Sequence, residues 1–332
     1  MVTVVTGATG FIGGALVEEL VRRGENVRAL VRKTSNTSRL ETLNVEFAYG
    51  DLQDSASLEA ALNNCDCLYH TAAIVMGHRS KLFNEVNVSG TRNLLEAALK
   101  KGVKRIIYTS SAATLCPERG GVLTEEVPRK RQSLGKYSDS KWLAEQEAFK
   151  LHEKGLSLVS IHPTNVYGPG SMSGWNKSIL DFLLGKMPGV PKLYTNLAFI
   201  NDVVQGHVLA FERGKEGQRY LIAGEDIEVA QVMELAAEIA GLQIKARRLP
   251  TWLVLAYSNV GEMVAKVTKK PPLVSRDEVK TMAADVTVDN SRTKRELGYS
   301  HTDLLEGLEK SVLWLQQSGY LSHRHIELPS SR

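Results

Sequence analysis

The chain has 332 residues, of which 43% are hydrophobic and 23% are charged, with 27 glycines, 10 prolines and 3 cysteines. This composition excludes an intrinsically disordered chain and a small disulfide-stapled scaffold. The 41 basic and 37 acidic residues leave a formal net charge of +4, and the short basic clusters such as Arg247-Arg248 have no interleaved aromatic residues, so nucleic-acid binding is not favoured.

Targeting and metal-binding signals are missing from the sequence pattern. Met1 leads directly into a strand-like run, and no stretch reaches the roughly 18 consecutive apolar residues of a membrane span. Cys65, Cys67 and Cys116 lack the spacing of zinc ligands and suit a reducing compartment. We therefore expect a cytoplasmic protein with no signal peptide, no integral membrane segment and no metal site.

Apolar strand-like runs alternate with amphipathic stretches through the first half of the chain. Strands are predicted at Val2–Thr6, Asn26–Val31, Val45–Tyr49, Cys67–His70, Arg105–Ser110 and Leu156–His162. Helices are predicted at Phe11–Arg23, Asp54–Leu62, Phe83–Lys100 and Tyr137–Lys154. This alternation predicts an α/β fold, a Rossmann-type doubly wound parallel sheet with helices on both faces.

The second half of the chain loses this rhythm. Helical patterns are predicted at Val229–Ala240, Trp252–Val267, Arg276–Met282 and Leu304–Gln317. We expect a dinucleotide-binding domain over residues 1–165 and a smaller, mostly helical substrate-binding cap over residues 166–322. Some strands and helices of the cap are expected to return to the first domain. Residues 323–332 have no periodicity and are expected to form a mobile tail.

A glycine-rich turn follows the first predicted strand. Gly7, Gly10 and Gly13 permit a tight turn, close approach of backbone to a pyrophosphate, and packing of helix on strand. The free N–H groups of the following helix would face the phosphates. The spacing alone is weak and also fits a purely structural turn, but a strand before it and a helix after it favour a dinucleotide site.

Basic residues end the second predicted strand, where an NAD site would carry an acidic residue for the ribose hydroxyls. Arg32 and Lys33 stand there instead. Arginine suits a 2′-phosphate, so NADP is favoured over NAD, although Arg32 also fits an ordinary exposed strand end. Asp51 and Leu52 follow the third strand and are expected near the adenine.

Tyr137 and Lys141 lie four residues apart and therefore share one face of a predicted helix. A free tyrosine has a pKa near 10, and a nearby ammonium is expected to lower it. Such a tyrosine can exchange a proton with a substrate oxygen while hydride moves to or from a nicotinamide. Ser110 and Ser111 end the fifth strand, where ligands bind in open α/β sheets. The pair alone also fits a surface helix.

The chain resembles the extended short-chain dehydrogenase/reductases of the NAD-dependent epimerase/dehydratase family, particularly the dihydroflavonol-4-reductase-like and farnesol-dehydrogenase-like branch. The resemblance spans nearly the whole chain. The matching motifs are TGATGFIG (6–13), GDL (50–52), HTAA (70–73), NVSGTRNLLEA (87–97), YTSSA (108–112), YSDSK (137–141), HPTNVYGPG (162–170) and NDVVQGHVLA (201–210).

The resemblance implies roles for individual residues. Ser111 matches the catalytic serine, Tyr137 the general acid/base, and Lys141 the residue that lowers the tyrosine pKa and binds the nicotinamide ribose. Further cofactor contacts are expected from Thr9, Phe11, Ile12, Ala72, Ala73, Thr109, Pro163 and Val166, and substrate contacts from Asn165 and Tyr167. The family also implies a homodimer through helices 83–100 and 137–154.

Reductase and epimerase readings share the same triad, so the substrate half must separate them. The sequence NVYGPG (165–170) is typical of nucleotide-sugar enzymes, but Thr195 stands where those enzymes carry a diphosphate-binding arginine. We therefore favour an NADP(H)-dependent hydroxyl/carbonyl oxidoreductase with a small to medium, partly apolar substrate. The alternative is an NAD-dependent nucleotide-sugar epimerase or dehydratase. A non-catalytic dinucleotide-binding regulator is less favoured, because Tyr137 and Lys141 are both present.

An apolar face on the predicted helix 252–267 leaves three interpretations open. It fits ordinary packing of the cap, an apolar wall over the substrate, or contact with a membrane surface.

Overall fold

A computed structural model describes residues 1–75, 80–115, 117, 119–127, 135–256, 258 and 286–321. The predicted helix 276–282, most of the predicted helix 252–267 and the predicted tail 323–332 lie outside the described residues, so these predictions stay untested. Residues 251–256 are helical, as predicted for the start of that helix.

The first half of the chain confirms the predicted alternation of strands and helices. Asp54 caps the second helix as its side chain accepts hydrogen bonds from the N–H groups of Ala56 and Ser57. The elements are β1 (Val2–Thr6), α1 (Phe11–Arg22), β2 (Asn26–Val31), β3 (Glu46–Tyr49), α2 (Ser55–Ala61), β4 (Cys67–His70), α3 (Ser80–Phe83), α4 (Gly90–Lys101), β5 (Arg105–Thr109), β6 (Val122–Leu123), α5 (Lys136–His152) and β7 (Leu158–Pro163).

The second half contains more strands than its sequence pattern predicts. Its elements are β8 (Asn165–Tyr167), α6 (Gly174–Leu183), β9 (Val190–Pro191), β10 (Tyr194–Phe199), α7 (Ile200–Arg213), β11 (Arg219–Ile222), β12 (Glu225–Glu228), α8 (Val229–Ile239), β13 (Arg248–Leu249), β14 (Thr287–Val288), α9 (Ser291–Leu297) and α10 (Leu304–Gln317). Helices at 229–239 and 304–317 confirm two predictions. The strands were missed because most are two to four residues long, too short for a period-2 signal.

The central sheet has seven strands in the order β11-β7-β5-β4-β1-β2-β3. All of its pairings are parallel. The chain runs outward from β1 in one direction through β2 and β3, and in the other through β4, β5, β7 and β11. The order therefore reverses between β1 and β4, and ligands bind at the carboxyl ends of the strands beside such a switch point.

Helices cover both faces of the sheet, as predicted for a doubly wound fold. On one face, buried residues of α1, α7 and α9 pack on the strands. On the other face, α2, α4 and α5 pack on them. These layers fix where α5 presents its side chains relative to the end of β5.

The predicted helix Phe83–Lys100 is interrupted by a π-helical segment over Asn84–Ser89. The side chain of Asn87 in this segment bonds with both backbone groups of Ile74, accepting from its N–H at 2.8 Å and donating to its carbonyl at 3.0 Å. It also donates to Ser140 Oγ on α5 at 2.9 Å. Such π segments are frequent at functional sites. The segment links the residues after β4 to α5.

The cap has its own core and a small sheet of order β12-β10-β8. Its buried residues come mainly from α6, α8, α10 and the small sheet, and Phe11 and Ile12 of α1 pack against them. Three segments of the second half, β11, α7 and α9, belong to the central sheet and its covering layer. Among the described residues, no helix combines the length and apolarity needed to cross a membrane.

Candidate active site

The glycine-rich turn joins β1 to α1 at the switch point of the sheet. Gly7 has φ +68°, and a Cβ there would lie 2.8 Å from the Ala72 backbone nitrogen. A Cβ at Gly13 would overlap the Gly7 carbonyl oxygen. Gly10 caps α1 without any side-chain hydrogen bond to the first-turn N–H groups. A side chain would fill this cradle, and the capping donors fit a pyrophosphate.

The buried His70 links the end of β1, just before this turn, to α4. His70 Nδ1 lies 2.8 Å from Thr6 Oγ1, and its Nε2 lies 2.9 Å from Thr91 Oγ1 on α4. Burial lowers the pKa of His70 to about 3, so the ring is neutral. Thr6 Oγ1 also accepts a hydrogen bond from the Ala72 N–H at 3.2 Å. The backbone at Ala72, a predicted cofactor contact that precedes Ala73, is thereby tied to the end of β1.

Cationic side chains lie at the carboxyl end of β2. Arg32 and Lys33 are exposed there, directly after the strand. The nearby Arg39 instead makes a two-point ion pair with Glu18 on α1, with Nε–Oε1 at 2.6 Å and Nη2–Oε2 at 2.9 Å. Arg32 and Lys33 therefore lie exposed beside the carboxyl end of β2.

The segment after β3 carries two further predicted cofactor contacts. Asp51 is exposed and its carboxylate accepts the N–H of Gln53 at 2.9 Å. Leu52 is partly buried, and its carbonyl accepts Asn93 Nδ2 at 2.9 Å. Thr9, beside Gly10 in the glycine-rich turn, is exposed.

Helix α5 brings Tyr137 and Lys141 to the end of β5. The buried Lys141 Nζ donates to the Thr109 carbonyl oxygen at 2.5 Å and lies 4.8 Å from the centre of the Tyr108 ring. Burial lowers the pKa of Lys141 to about 8, and the Glu145 carboxylate opposes this shift. The lysine is therefore mainly an ammonium at neutral pH, held by a backbone carbonyl.

The pKa of Tyr137 is determined mainly by burial and not by the nearby Lys141. Burial raises the pKa of Tyr137 above its ordinary value, and a hydrogen bond with Ser111 opposes this shift. The sequence predicts a lowered pKa for Tyr137, but in the structure this pKa is raised. The cost of removing the charged phenolate from water exceeds the stabilisation that its neighbours give it. At neutral pH the phenol is protonated and can donate its proton.

The two serines after β5 have different environments. Ser110 is buried, and its hydroxyl donates to Glu145 Oε2 at 2.9 Å. Ser111 is partly buried and shares a hydrogen bond with Tyr137. Thr109 contributes its carbonyl to Lys141, while its hydroxyl lies 2.8 Å from His207 Nε2 on α7. The structure thus brings Ser111, Tyr137 and Lys141 together and turns Ser110 away.

The residues that follow β7 are only partly brought to this site. Pro163 is buried at the end of β7, and Val166 is partly buried. Asn165 is exposed and donates from Nδ2 to Thr195 Oγ1 at 2.9 Å. Tyr167, expected to contact substrate, is instead buried in the cap core with its ring 5.5 Å from that of Phe199. The alternation along β8 places Tyr167 on the opposite face from Val166.

Two residues of the site were not predicted. Asn87 links Ile74 to α5, and Glu145 binds Ser110 from α5. Glu145 lies one helical turn beyond Lys141, and Asn87 lies within the predicted helix Phe83–Lys100. The signal for Glu145 was its spacing, since it continues the four-residue step from Tyr137 to Lys141.

The chain matches the family model of the NAD dependent epimerase/dehydratase family over residues 3–223. It is 34% identical over 328 residues to a Synechocystis protein named as a dihydroflavonol 4-reductase, with 96% of this chain and 95% of that protein covered. It is 32% identical to sterol demethylase protein B of Methylococcus capsulatus, with 97% and 100% covered. The crystal structure of gox2253 is 34% identical and superposes with a TM-score of 0.83, covering 97% of this chain and 99% of that chain.

These matches cover the glycine-rich turn, the serine after β5 and the Tyr–Lys pair, and they agree with the resemblance expected from the motifs. The chain belongs to the NAD-dependent epimerase/dehydratase family and is an NAD(P)-dependent oxidoreductase of the short-chain dehydrogenase/reductase superfamily.

Proposed function

We propose that the protein is an NADP(H)-dependent oxidoreductase that interconverts a hydroxyl and a carbonyl group on a small to medium, partly apolar substrate. The observation that carries this proposal is the placement of Tyr137, hydrogen-bonded with Ser111, and of the buried Lys141 at the carboxyl end of β5. A phenol held in its acid form suits the reduction of a carbonyl, since the alkoxide that develops there needs a proton.

The residues of the site divide the chemistry between them. Bound nicotinamide supplies or accepts the hydride. Ser111 Oγ holds the reacting oxygen by a hydrogen bond, and Tyr137 Oη delivers the proton to that oxygen or removes it in the reverse direction. Lys141, charged below a pKa of about 8, favours the phenolate left behind when Tyr137 gives up its proton.

The choice of NADP(H) rests on the exposed cations after β2. We expect empty protein to bind NADPH at least about tenfold more tightly than NADH, which corresponds to about 1.4 kcal/mol. Replacing Arg32 with serine is expected to weaken NADPH binding by about tenfold and leave NADH binding unchanged, because only NADPH carries the 2′-phosphate. Titration followed by nicotinamide fluorescence measures both affinities.

A matched control is available at Arg22, an exposed arginine that pairs with Glu19 at the far end of α1. Arg22→Ser should bind both nucleotides like the unmodified protein. Retained NAD in the purified protein, or tighter binding of NADH, would contradict the phosphate pocket and shift the proposal to an NAD-dependent epimerase or dehydratase.

The proposed substrate class rests on the residue at position 195. Thr195, which stands where nucleotide-sugar enzymes are expected to carry arginine, is buried on β10 and accepts Asn165 Nδ2. A neutral hydroxyl can donate a hydrogen bond to a diphosphate, but it cannot supply the charge-assisted, two-point pairing of an arginine. The sequence NVYGPG favours a sugar, but its tyrosine lies in the cap core rather than at the open site. We therefore propose a substrate without a diphosphate.

We further propose a homodimer through α4 and α5 and a cytoplasmic location, where the free thiols of Cys65 and Cys67 stay reduced. The two helices pack side by side and are linked by an Arg92–Glu147 ion pair at 2.7 Å. Leu143 on α5 is exposed. A contact between α4 and α5 of one protomer and the same helices of its partner would cover Leu143.

Leu143→Arg is expected to shift the protein from dimer to monomer in sedimentation-velocity experiments, because it replaces an apolar side chain of the proposed contact with a charged one. Leu313→Arg, at another exposed leucine on α10, is the control and should leave the sedimentation coefficient unchanged. A monomeric unmodified protein, or a dimeric Leu143→Arg variant, would contradict this interface.

A further inference from the structure

Three consecutive residues at the end of β5 are each held by a different buried group. The Thr109 carbonyl accepts Lys141 Nζ at 2.5 Å, and the Ser110 hydroxyl donates to Glu145 Oε2 at 2.9 Å. The Ser111 carbonyl lies 3.1 Å from Nδ1 of His162 on β7. Two of these three groups, Lys141 and Glu145, come from successive turns of α5. This helix therefore holds the end of β5 by two hydrogen bonds, directly before Ser111.

Glu145 is the least expected of these groups, because a buried carboxylate is costly unless it is paired. Its side chain is 2% exposed. Its second oxygen accepts Arg219 Nε from β11 at 2.5 Å, and His162 Nε2 lies 3.7 Å away. These partners lower the pKa of Glu145 below its ordinary value despite burial, so the group is a carboxylate at neutral pH.

The charged and titratable groups that face Glu145 come from four elements. They are Lys141 on its own helix, Tyr108 on β5, His162 on β7 and Arg219 on β11. Burial lowers the pKa of His162 and raises that of Tyr108, so both are neutral at pH 7. Arg219 is partly exposed beside the ring of Phe149, with its guanidinium 4.6 Å from the ring centre.

Lys141 has a mostly neutral surrounding. Tyr108 presents its ring, and His70 is a neutral imidazole. The negative charge of Glu145 favours the ammonium form of Lys141, whereas burial disfavours it. The carboxylate one turn along α5 therefore acts on both ends of the site, on the lysine through its charge and on the serine segment through Ser110.

We propose that Glu145 is a positioning residue that fixes the Ser110–Ser111 segment by its hydrogen bond and places a buried carboxylate one helical turn from Lys141. It touches neither substrate nor the reacting atoms. Arg219, at the sheet edge, holds the carboxylate in place. This inference rests on the proposed roles of Ser111, Tyr137 and Lys141.

The direct test is the titration of Lys141 by NMR in protein labelled with ¹³C at the lysine ε-carbon, without cofactor or substrate. The Lys141 signal is assigned by its loss in Lys141→Met. The unmodified protein should titrate near pH 8. Glu145→Gln should titrate about one pH unit lower, because the variant removes the negative charge that favours the ammonium. Glu145→Asp keeps the charge and should move the midpoint less.

Turnover supplies the second readout. Folded Glu145→Gln should lose about tenfold or more in kcat, and its kcat/KM for NADPH should begin to fall at a lower pH. Glu59→Gln removes a partly exposed carboxylate that pairs with Lys100 away from the site, and it should match the unmodified protein in both readouts. A wild-type Lys141 midpoint or a wild-type kcat in folded Glu145→Gln overturns the inference.

Ser110→Ala keeps the test decisive if Glu145→Gln does not fold. This variant removes the hydroxyl bond and retains the carboxylate, so kcat should fall about fivefold or more while the Lys141 midpoint stays the same. A wild-type kcat in Ser110→Ala then overturns the inference. A wrong assignment of the proposed function would give a different result, namely full turnover in a Tyr137→Phe variant.

Discussion

Tyr137→Phe is expected to lower kcat for carbonyl reduction by about 10²–10⁴-fold while leaving NADPH binding within about twofold. The substitution removes only the hydroxyl that shares a hydrogen bond with Ser111, and that hydroxyl is the proton donor. The aromatic ring remains to fill the same space. Steady-state kinetics and nicotinamide fluorescence on the same preparation separate turnover from binding.

Tyr320→Phe is the matched control for this prediction. Tyr320 is exposed after α10, where its ring lies 5.7 Å from that of Trp314, and its hydroxyl has no part in the proposed chemistry. Full turnover in Tyr137→Phe would remove the acid/base role. Tight NADPH binding with no turnover by the unmodified protein would instead support a dinucleotide-binding regulator.

Gly13→Ala is expected to abolish measurable NADPH binding and to lower the free energy of unfolding by about 1–3 kcal/mol. A Cβ at this position overlaps the backbone carbonyl of Gly7 and also approaches Thr71 Oγ1 at 2.6 Å. Because the first of these atoms is backbone, the turn itself must open. The N–H groups of α1 would then no longer converge on the pyrophosphate. Denaturant unfolding and NADPH titration measure the two effects.

Gly102→Ala separates loss of the site from loss of stability. Gly102 ends α4 with φ +67°, and a Cβ there meets nothing within 4 Å. The left-handed backbone should cost an alanine about 1–2 kcal/mol, so this variant is destabilised to a similar extent. Its NADPH affinity should stay normal. Equal affinity in Gly13→Ala and Gly102→Ala would contradict the assignment of the turn as the pyrophosphate site.

The dinucleotide-binding half could be predicted from the sequence because its signals are local. The strand Cys67–His70 is buried along its length, so it reads as a short continuous apolar run. Helix α1 lies between a glycine turn and Gly24, and each end has its own sequence marker. Helix and strand periodicity therefore placed the glycine turn and the Tyr137–Lys141 pair on the elements where the structure has them.

Features that depend on long-range contacts could not be predicted in the same way. The π segment at Asn84–Ser89 accompanies the bonds of Asn87 to Ile74 and Ser140, which are 13 and 53 residues away in sequence. The pKa of Tyr137 depends on burial, which the spacing to Lys141 does not report. The burial of Tyr167 depends on how β8 faces the cap core.

The most direct measurement is net hydride transfer from NADPH deuterated at both C4 positions to a panel of apolar ketones and aldehydes, with product analysed by mass spectrometry. A carbonyl oxidoreductase should give one deuterium in the alcohol product and one equivalent of NADP⁺ per product, and Tyr137→Phe should form both about 10²–10⁴-fold more slowly. No net oxidation of NADPH, together with interconversion of sugar nucleotides by protein that retains NAD, would contradict the proposed function.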